Sequence, residues 1–103
     1  MFFIVLAHDK PGMLAQRLAH RPAHVDYWVG QGDALKVAGA MLSSDAADAT
    51  PIGSSFLIEA EDEAAVRALV AADPFTVEGI FGDDVTVQPV QPVRPALGVW
   101  RPA

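Results

Sequence analysis

This chain has no cysteine, so histidines, arginines and carboxylates carry whatever proton or charge chemistry it performs. Thiolate nucleophiles, thiolate metal sites and disulfides are excluded. The densest group of such side chains is Arg17, Arg21 and His24, inside the helically spaced segment Met13 to Gln31. At about 100° per residue from Leu14, the apolar residues Leu14, Leu18, Val25, Trp28 and Val29 form a stripe from roughly −40° to +60°. Arg21 falls inside that stripe at about −20°, with Arg17 and His24 flanking it at about −60° and −80°. The spacing therefore predicts a polar row along one margin of the buried face. An unpaired guanidinium within an apolar stripe is too costly to leave. Arg21 is thus predicted to be mostly buried and bridged to a carboxylate, Asp73 being preferred over Glu59 because a turn can adjust its reach.

Read from the residues alone, the partners of this row stay open. Asp73 followed by Pro74 is a common helix start, with aspartate as N-cap and proline in the first turn. A lone helical histidine such as His24 is more often an ordinary hydrogen-bonded residue than a proton carrier. His20 and His24 have the four-residue spacing of a metal pair, but Arg21 replaces the zinc-protease glutamate and the neighbouring guanidinium groups repel a cation. No metal and no organic cofactor is expected. His8, at the end of the first strand, caps it or borders a pocket. There is no glycine-rich phosphate loop and no nucleophile elbow.

The elements that must position these residues follow from periodicity and breakers. Phe2 to His8 reads as a strand, and Asp9-Lys10-Pro11-Gly12 ends it and opens a helix. Pro22 removes a backbone hydrogen bond within that helix, which predicts a kink or restart. Gly32-Asp33 closes the helix. Leu35 to Leu42 is a second strand, Ser43 to Pro51 a polar loop, and Ile52 to Ala60 a third strand. Asp62 is a candidate N-cap for a helix from Glu63 to Ala72 that buries Val66, Leu69 and Val70. A turn through Gly79 leads into a fourth strand, Asp84 to Val90.

The order βαββαβ implies an α+β, ferredoxin-like sandwich in which two helices cover one face of a four-stranded antiparallel sheet. The first strand is apolar on both parities, with Phe2, Ile4 and Leu6 on one side and Phe3, Val5 and Ala7 on the other. A strand apolar on both faces needs a second layer, and the simplest is the same sheet of a second copy, giving a homodimer through sheet faces. Residues 1–90 form the domain. Residues 91–103 read as a Pro-rich extended tail, whose Trp100 is either solvated or docked on a neighbouring subunit.

Formal charge is −6, and residues 1–93 hold all thirteen acids but only five of the seven basic residues. Such a surface repels nucleic acid and anionic membranes, so neither is expected as a partner. The opening MFFIVLAH lacks a basic leader and is too short for a membrane span, which makes the cytoplasm the default location.

The chain resembles the YciI-like proteins, a branch of the dimeric α/β-barrel superfamily. The resemblance rests on the opening strand Phe2 to Leu6, on Arg17 and Arg21 followed by Ala23-His24, and on Gly39. It continues through Gly53, Glu59-Ala60, Asp73-Pro74-Phe75 and the Gly79 turn, covering about residues 1 to 90. It departs from that pattern at Pro22, at Ala40, where a proline often follows the glycine, and in the added tail. The resemblance implies a ferredoxin-like dimer with a cavity between sheet and helices, and His24 with Asp73 as the catalytic pair. It further implies a cofactor-independent small-molecule enzyme of lyase or isomerase type. His24 would move a proton, Asp73 would hold its tautomer, and Arg21, assisted by Arg17 and His8, would bind a small acidic or aromatic ligand. The alternative is a non-catalytic module that binds a small anion or serves for dimerisation.

Overall fold

The computed structural model describes residues 1–93. The strands are β1 (Phe2–Asp9), β2 (Leu35–Leu42), β3 (Pro51–Glu59) and β4 (Phe81–Val90), and the helices are α1 (Leu14–Val29), α2 (Glu63–Ala71) and the short α3 (Pro74–Val77). A 3₁₀ turn, Gly32–Ala34, joins α1 to β2. The four strands form one antiparallel sheet in the order β2-β3-β1-β4, the α+β ferredoxin-like arrangement expected from the βαββαβ sequence. The tail and Trp100 lie outside the described residues.

Each element obeys a local rule. Asp62 caps α2 by accepting from the Ala65 amide at 2.8 Å, satisfying one of the donors that a helix start leaves over. Pro89 lies in β4, an edge strand, where a missing N–H costs no ladder bond on the solvent side. The segment before β4 turns at Gly79, whose φ of 72° is disfavoured for residues with a side chain. Gly53 meets a different demand: a Cβ there would come within 2.5 Å of the Ala7 carbonyl oxygen on the neighbouring strand.

The core lies between the sheet and the helices. Phe3, Val5 and Ala7 from β1 and Phe56 and Ile58 from β3 pack against Val66 and Val70 of α2, Trp28 of α1 and Phe75 of α3. On the opposite parity of β1 Phe2 is buried, but Ile4 is 40% exposed and Leu6 is half-buried. With Val37 and Leu57 nearby, Ile4 lines an apolar groove on this open face.

The first helix differs from the expectation. It runs through Pro22 as one element from Leu14 to Val29. Its buried residues are Arg17 and Trp28, while Leu18 and Val29 of the apolar stripe are 57% and 72% exposed. The buried face is therefore centred on the line Met13, Arg17, His24 and Trp28, rotated roughly 80° from the apolar stripe. Once Asp73, Asp9 and Ser54 supply polar partners, polar side chains rather than leucines make the inner face.

Candidate active site

The Asp-Pro-Phe triplet assembles the centre of the site, each residue with its own task. Asp73 is the N-cap of α3, its Oδ1 accepting from the Phe75 amide at 2.8 Å. Pro74 opens the helix, where its missing N–H is no loss. Phe75 is fully buried and stacks on the His24 imidazole at 3.9 Å, with 9° between the ring planes. The cap and the histidine partner are thus one and the same carboxylate. His24 Nδ1 lies 2.8 Å from Asp73 Oδ1 and 2.9 Å from Oδ2, and the Trp28 indole Nε1–H donates to Oδ2 at 2.7 Å.

This geometry fixes the histidine tautomer. Asp73 is completely buried, and the backbone amide and the indole can only donate. Both carboxylate oxygens are therefore already acceptors, and Nδ1–H of His24 is the donor toward them. Nε2 makes no hydrogen bond among the described residues. His24 itself sits one turn before Trp28 on α1, so a single helix face delivers two of the groups that surround Asp73.

A second centre lies beside it. Arg17 is 4% exposed and forms a two-point pair with Asp9, Nε to Oδ2 at 2.6 Å and Nη2 to Oδ1 at 3.1 Å. Its Nη2 also donates to Ser54 Oγ at 2.8 Å, and its guanidinium lies 4.6 Å from the Phe75 ring centroid. Phe75 therefore contacts both centres and fixes their spacing. Behind them, Tyr27 donates its hydroxyl to the Leu69 carbonyl at 2.6 Å. Burial, with the nearby Asp73 charge adding to it, raises the Tyr27 phenol above 10.0.

Between α1 and the β2–β3 half of the sheet lies a cavity of about 230 Å³, lined in part by Arg17, Arg21, His24, Trp28, Ala40 and Ser54. Its volume is below the roughly 300–1,000 Å³ of sites for drug-sized ligands. It suits a smaller molecule, of single-ring size. Ala38 and Ala40 of β2 face the same side as Phe56 and Ser54 of β3, and their small side chains leave the space open.

Two assignments made from the sequence change here. Arg21 is exposed and makes no ion pair among the described residues. It stands on the cavity wall, one turn from Arg17, and the buried, carboxylate-bridged arginine is Arg17. The wheel misplaced them because it took the apolar stripe as the inner face. His8 has the open-face parity of Leu6, lies 3.8 Å from Asp84 and is not among the residues lining the cavity. His20 is paired at the surface with Glu78, at 3.9 Å.

Asp9, Ser54 and Trp28 were missed as site residues. Ser54 left a readable signal, a polar residue in the inward parity shared with Phe56 and Ile58. Trp28 left one in its position four residues after His24. Asp9 left none, because its meeting with Arg17 depends on how β1 packs against α1.

The fold and the centres on α1 define a small βαββαβ protein with a histidine–aspartate pair opening into a cavity over its sheet. The YCII-related domain matches residues 1–91, and the chain belongs to that family. It is 33% identical over 98 residues to Protein YciI of Escherichia coli O6:H1, with 90% of this chain and 99% of that protein covered. Protein YciI of Shigella flexneri matches to the same extent, at 33% identity over 98 residues. A solved structure, the 5-chloro-2-hydroxyhydroquinone dehydrochlorinase of Burkholderia phenoliruptrix AC1100 in complex with 2,5-dihydroxybenzoquinone, superposes with a TM-score of 0.81. Identity to it is 29%, with 88% of this chain and 94% of that one covered. No helix among the described residues is long and apolar enough to cross a membrane.

Proposed function

We propose that this protein is a cofactor-independent small-molecule enzyme of lyase or isomerase type, with His24 as general base and acid and Asp73 as the residue that orients it. The observation that carries the reading is the buried carboxylate of Asp73 on His24 Nδ1, 2.8 Å away, with Nε2 left free and His24 lining the cavity. A base held in one tautomer at the edge of a largely apolar pocket is suited to taking a proton from a small ligand. In an elimination, Nε2 takes the proton and the electron pair left behind forms the new double bond. The leaving group departs with its own bonding pair. In an isomerisation, His24 returns the proton at another atom. Arg21, on the cavity wall and without a carboxylate partner among the described residues, supplies positive charge for an anionic substrate. The similarity to a dehydrochlorinase supports this class of chemistry.

The same reading includes a homodimer through the open sheet faces. Ile4 at 40% and Val37 at 48% exposure belong to an apolar surface that a second copy covers. Light scattering at micromolar concentration is expected to give twice the chain mass of 10.9 kDa. A monomer there rules the arrangement out.

A panel of chlorinated hydroxyhydroquinones, hydroxybenzoates and small lactones tests the enzyme, first by thermal shift and then by ultraviolet absorbance for turnover. Turnover should fall about 10²-fold or more in His24→Ala while the thermal shift persists. Thermal shifts with no turnover in the unaltered chain would instead support the second reading, a non-catalytic module for small anions. The specific observation behind that reading is the free cationic Arg21 on the cavity wall.

A further inference from the structure

Ser54 is 1% exposed and lines the cavity. A serine hydroxyl has one proton to donate and two lone pairs to accept with. Its one hydrogen bond among the described residues comes from Arg17 Nη2 at 2.8 Å, and a guanidinium only donates. That bond occupies a lone pair and leaves the Ser54 proton without an acceptor. The adjacent Ser55, by contrast, donates its own hydroxyl to the Gly39 carbonyl at 3.2 Å. A buried donor left unmade is costly, and the cavity is the place where an acceptor can reach it.

The surroundings identify the acceptor. Arg17 carries a full positive charge against Ser54 Oγ, and a hydroxyl that accepts from a cation becomes a stronger donor. Asp9 accepts from Arg17 at both oxygens, and no hydrogen bond joins it to Ser54 among the described residues. Arg21 adds a second cation on the cavity wall, while Trp28, Val25 and Ala40 make the rest of it apolar. We propose that Ser54 is a ligand-contacting donor that binds an anionic oxygen, and that it selects small planar rings bearing a phenolate or enolate oxygen. Asp9 and Arg17 are positioning residues that hold its hydroxyl with the proton directed away from the guanidinium. The proposal rests on the reading that the cavity takes a small molecule.

The test is calorimetric titration of the whole chain and of Ser54→Ala with two probes, 2,5-dihydroxybenzoquinone and its dimethyl ether, which has the same ring but no ionisable oxygen. Ser54→Ala should bind the dihydroxy compound roughly ten- to a hundred-fold more weakly and the ether within about twofold of the unaltered chain. Equal loss for both probes, or no loss for either, overturns the role of Ser54 while leaving the cavity reading in place. Binding of neither probe to the unaltered chain overturns both together. Should Ser54→Ala fail to fold, amide spectra of the unaltered chain replace it. The Ser54 resonance should move on titration with the dihydroxy probe, and a stationary resonance overturns the proposal.

Discussion

Asp73 and Asp9 are two buried carboxylates on the same side of the sheet, each held by α1, and they do opposite things. The Asp9 side chain is 6% exposed and faces Arg17, a group that stays charged at any ordinary pH. Its two parallel hydrogen bonds hold the guanidinium in place, and the remaining bond of Arg17 goes to Ser54. Among the described residues no arginine pairs with the Asp73 carboxylate. It is held by the Trp28 indole, the Phe75 amide and His24, of which only the histidine can change its protonation. One carboxylate fixes a charge in place; the other directs its field onto a ring that can take up and release a proton. Burial alone does not tell the two carboxylates apart. The chemistry of the partner does.

The contrast can be broken most forcefully at the anchor. Arg17→Ala strands the Asp9 carboxylate, and equilibrium urea unfolding should register a loss of about 3–5 kcal/mol, the usual cost of breaking a buried pair. The paired replacement Asp9→Leu with Arg17→Met should recover most of it, because two apolar side chains of similar volume leave no charge unpaired. A double variant as unstable as the single one would show that the pair does more than anchor.

At the histidine–aspartate pair the expected loss of stability is smaller and the expected consequence for the imidazole larger. Asp73→Asn keeps the shape but puts an amide NH₂ against a group that must itself donate, which should cost about 1–3 kcal/mol. Nitrogen-15 spectra of the imidazole should then show His24 no longer held with its proton on Nδ1. If the tautomer is unchanged in Asp73→Asn, the distinction between the two carboxylates collapses.

The smallest effect concerns Tyr27, behind the histidine–aspartate pair. Tyr27→Phe removes one hydrogen bond to Leu69, a loss of about 0.5–1.5 kcal/mol near neutral pH. Burial first, and then the charge of Asp73, raises its phenol above 10.0, so the folded chain holds that proton more tightly than the unfolded chain does. The resulting stability is fully present below pH 10 and is lost as pH rises through the folded value. Melts in alkaline buffer should therefore narrow the gap between the unaltered chain and Tyr27→Phe. A constant gap would mean that the folded chain does not raise the Tyr27 phenol.

The sequence by itself determined the architecture. Strand alternation, the breakers at Pro11-Gly12, Gly32 and Asp73-Pro74, and the cap at Asp62 are local signals, and they yield the βαββαβ order because they act within a few residues. The doubly apolar β1 likewise announced a sheet face that the described residues leave partly exposed. The likeness of Arg17, His24 and Asp73-Pro74-Phe75 to a known family singled out two residues, His24 and Asp73, that the fold brings within 2.8 Å of each other. It could not give the double role of Asp73, which needs α3 and α1 in contact.

Only the tertiary structure decided which face of α1 is inner. A helical wheel ranks faces by apolarity, yet this face is buried by what it meets: Asp9 from the end of β1, Ser54 from β3 and Asp73 from the start of α3. Those partners come from 8, 37 and 49 residues away along the chain. A polar side chain is stable inside when its partner is already waiting there, and no local spacing records that. Hence Arg17 went in, Arg21 stayed out, and His24 acquired its carboxylate.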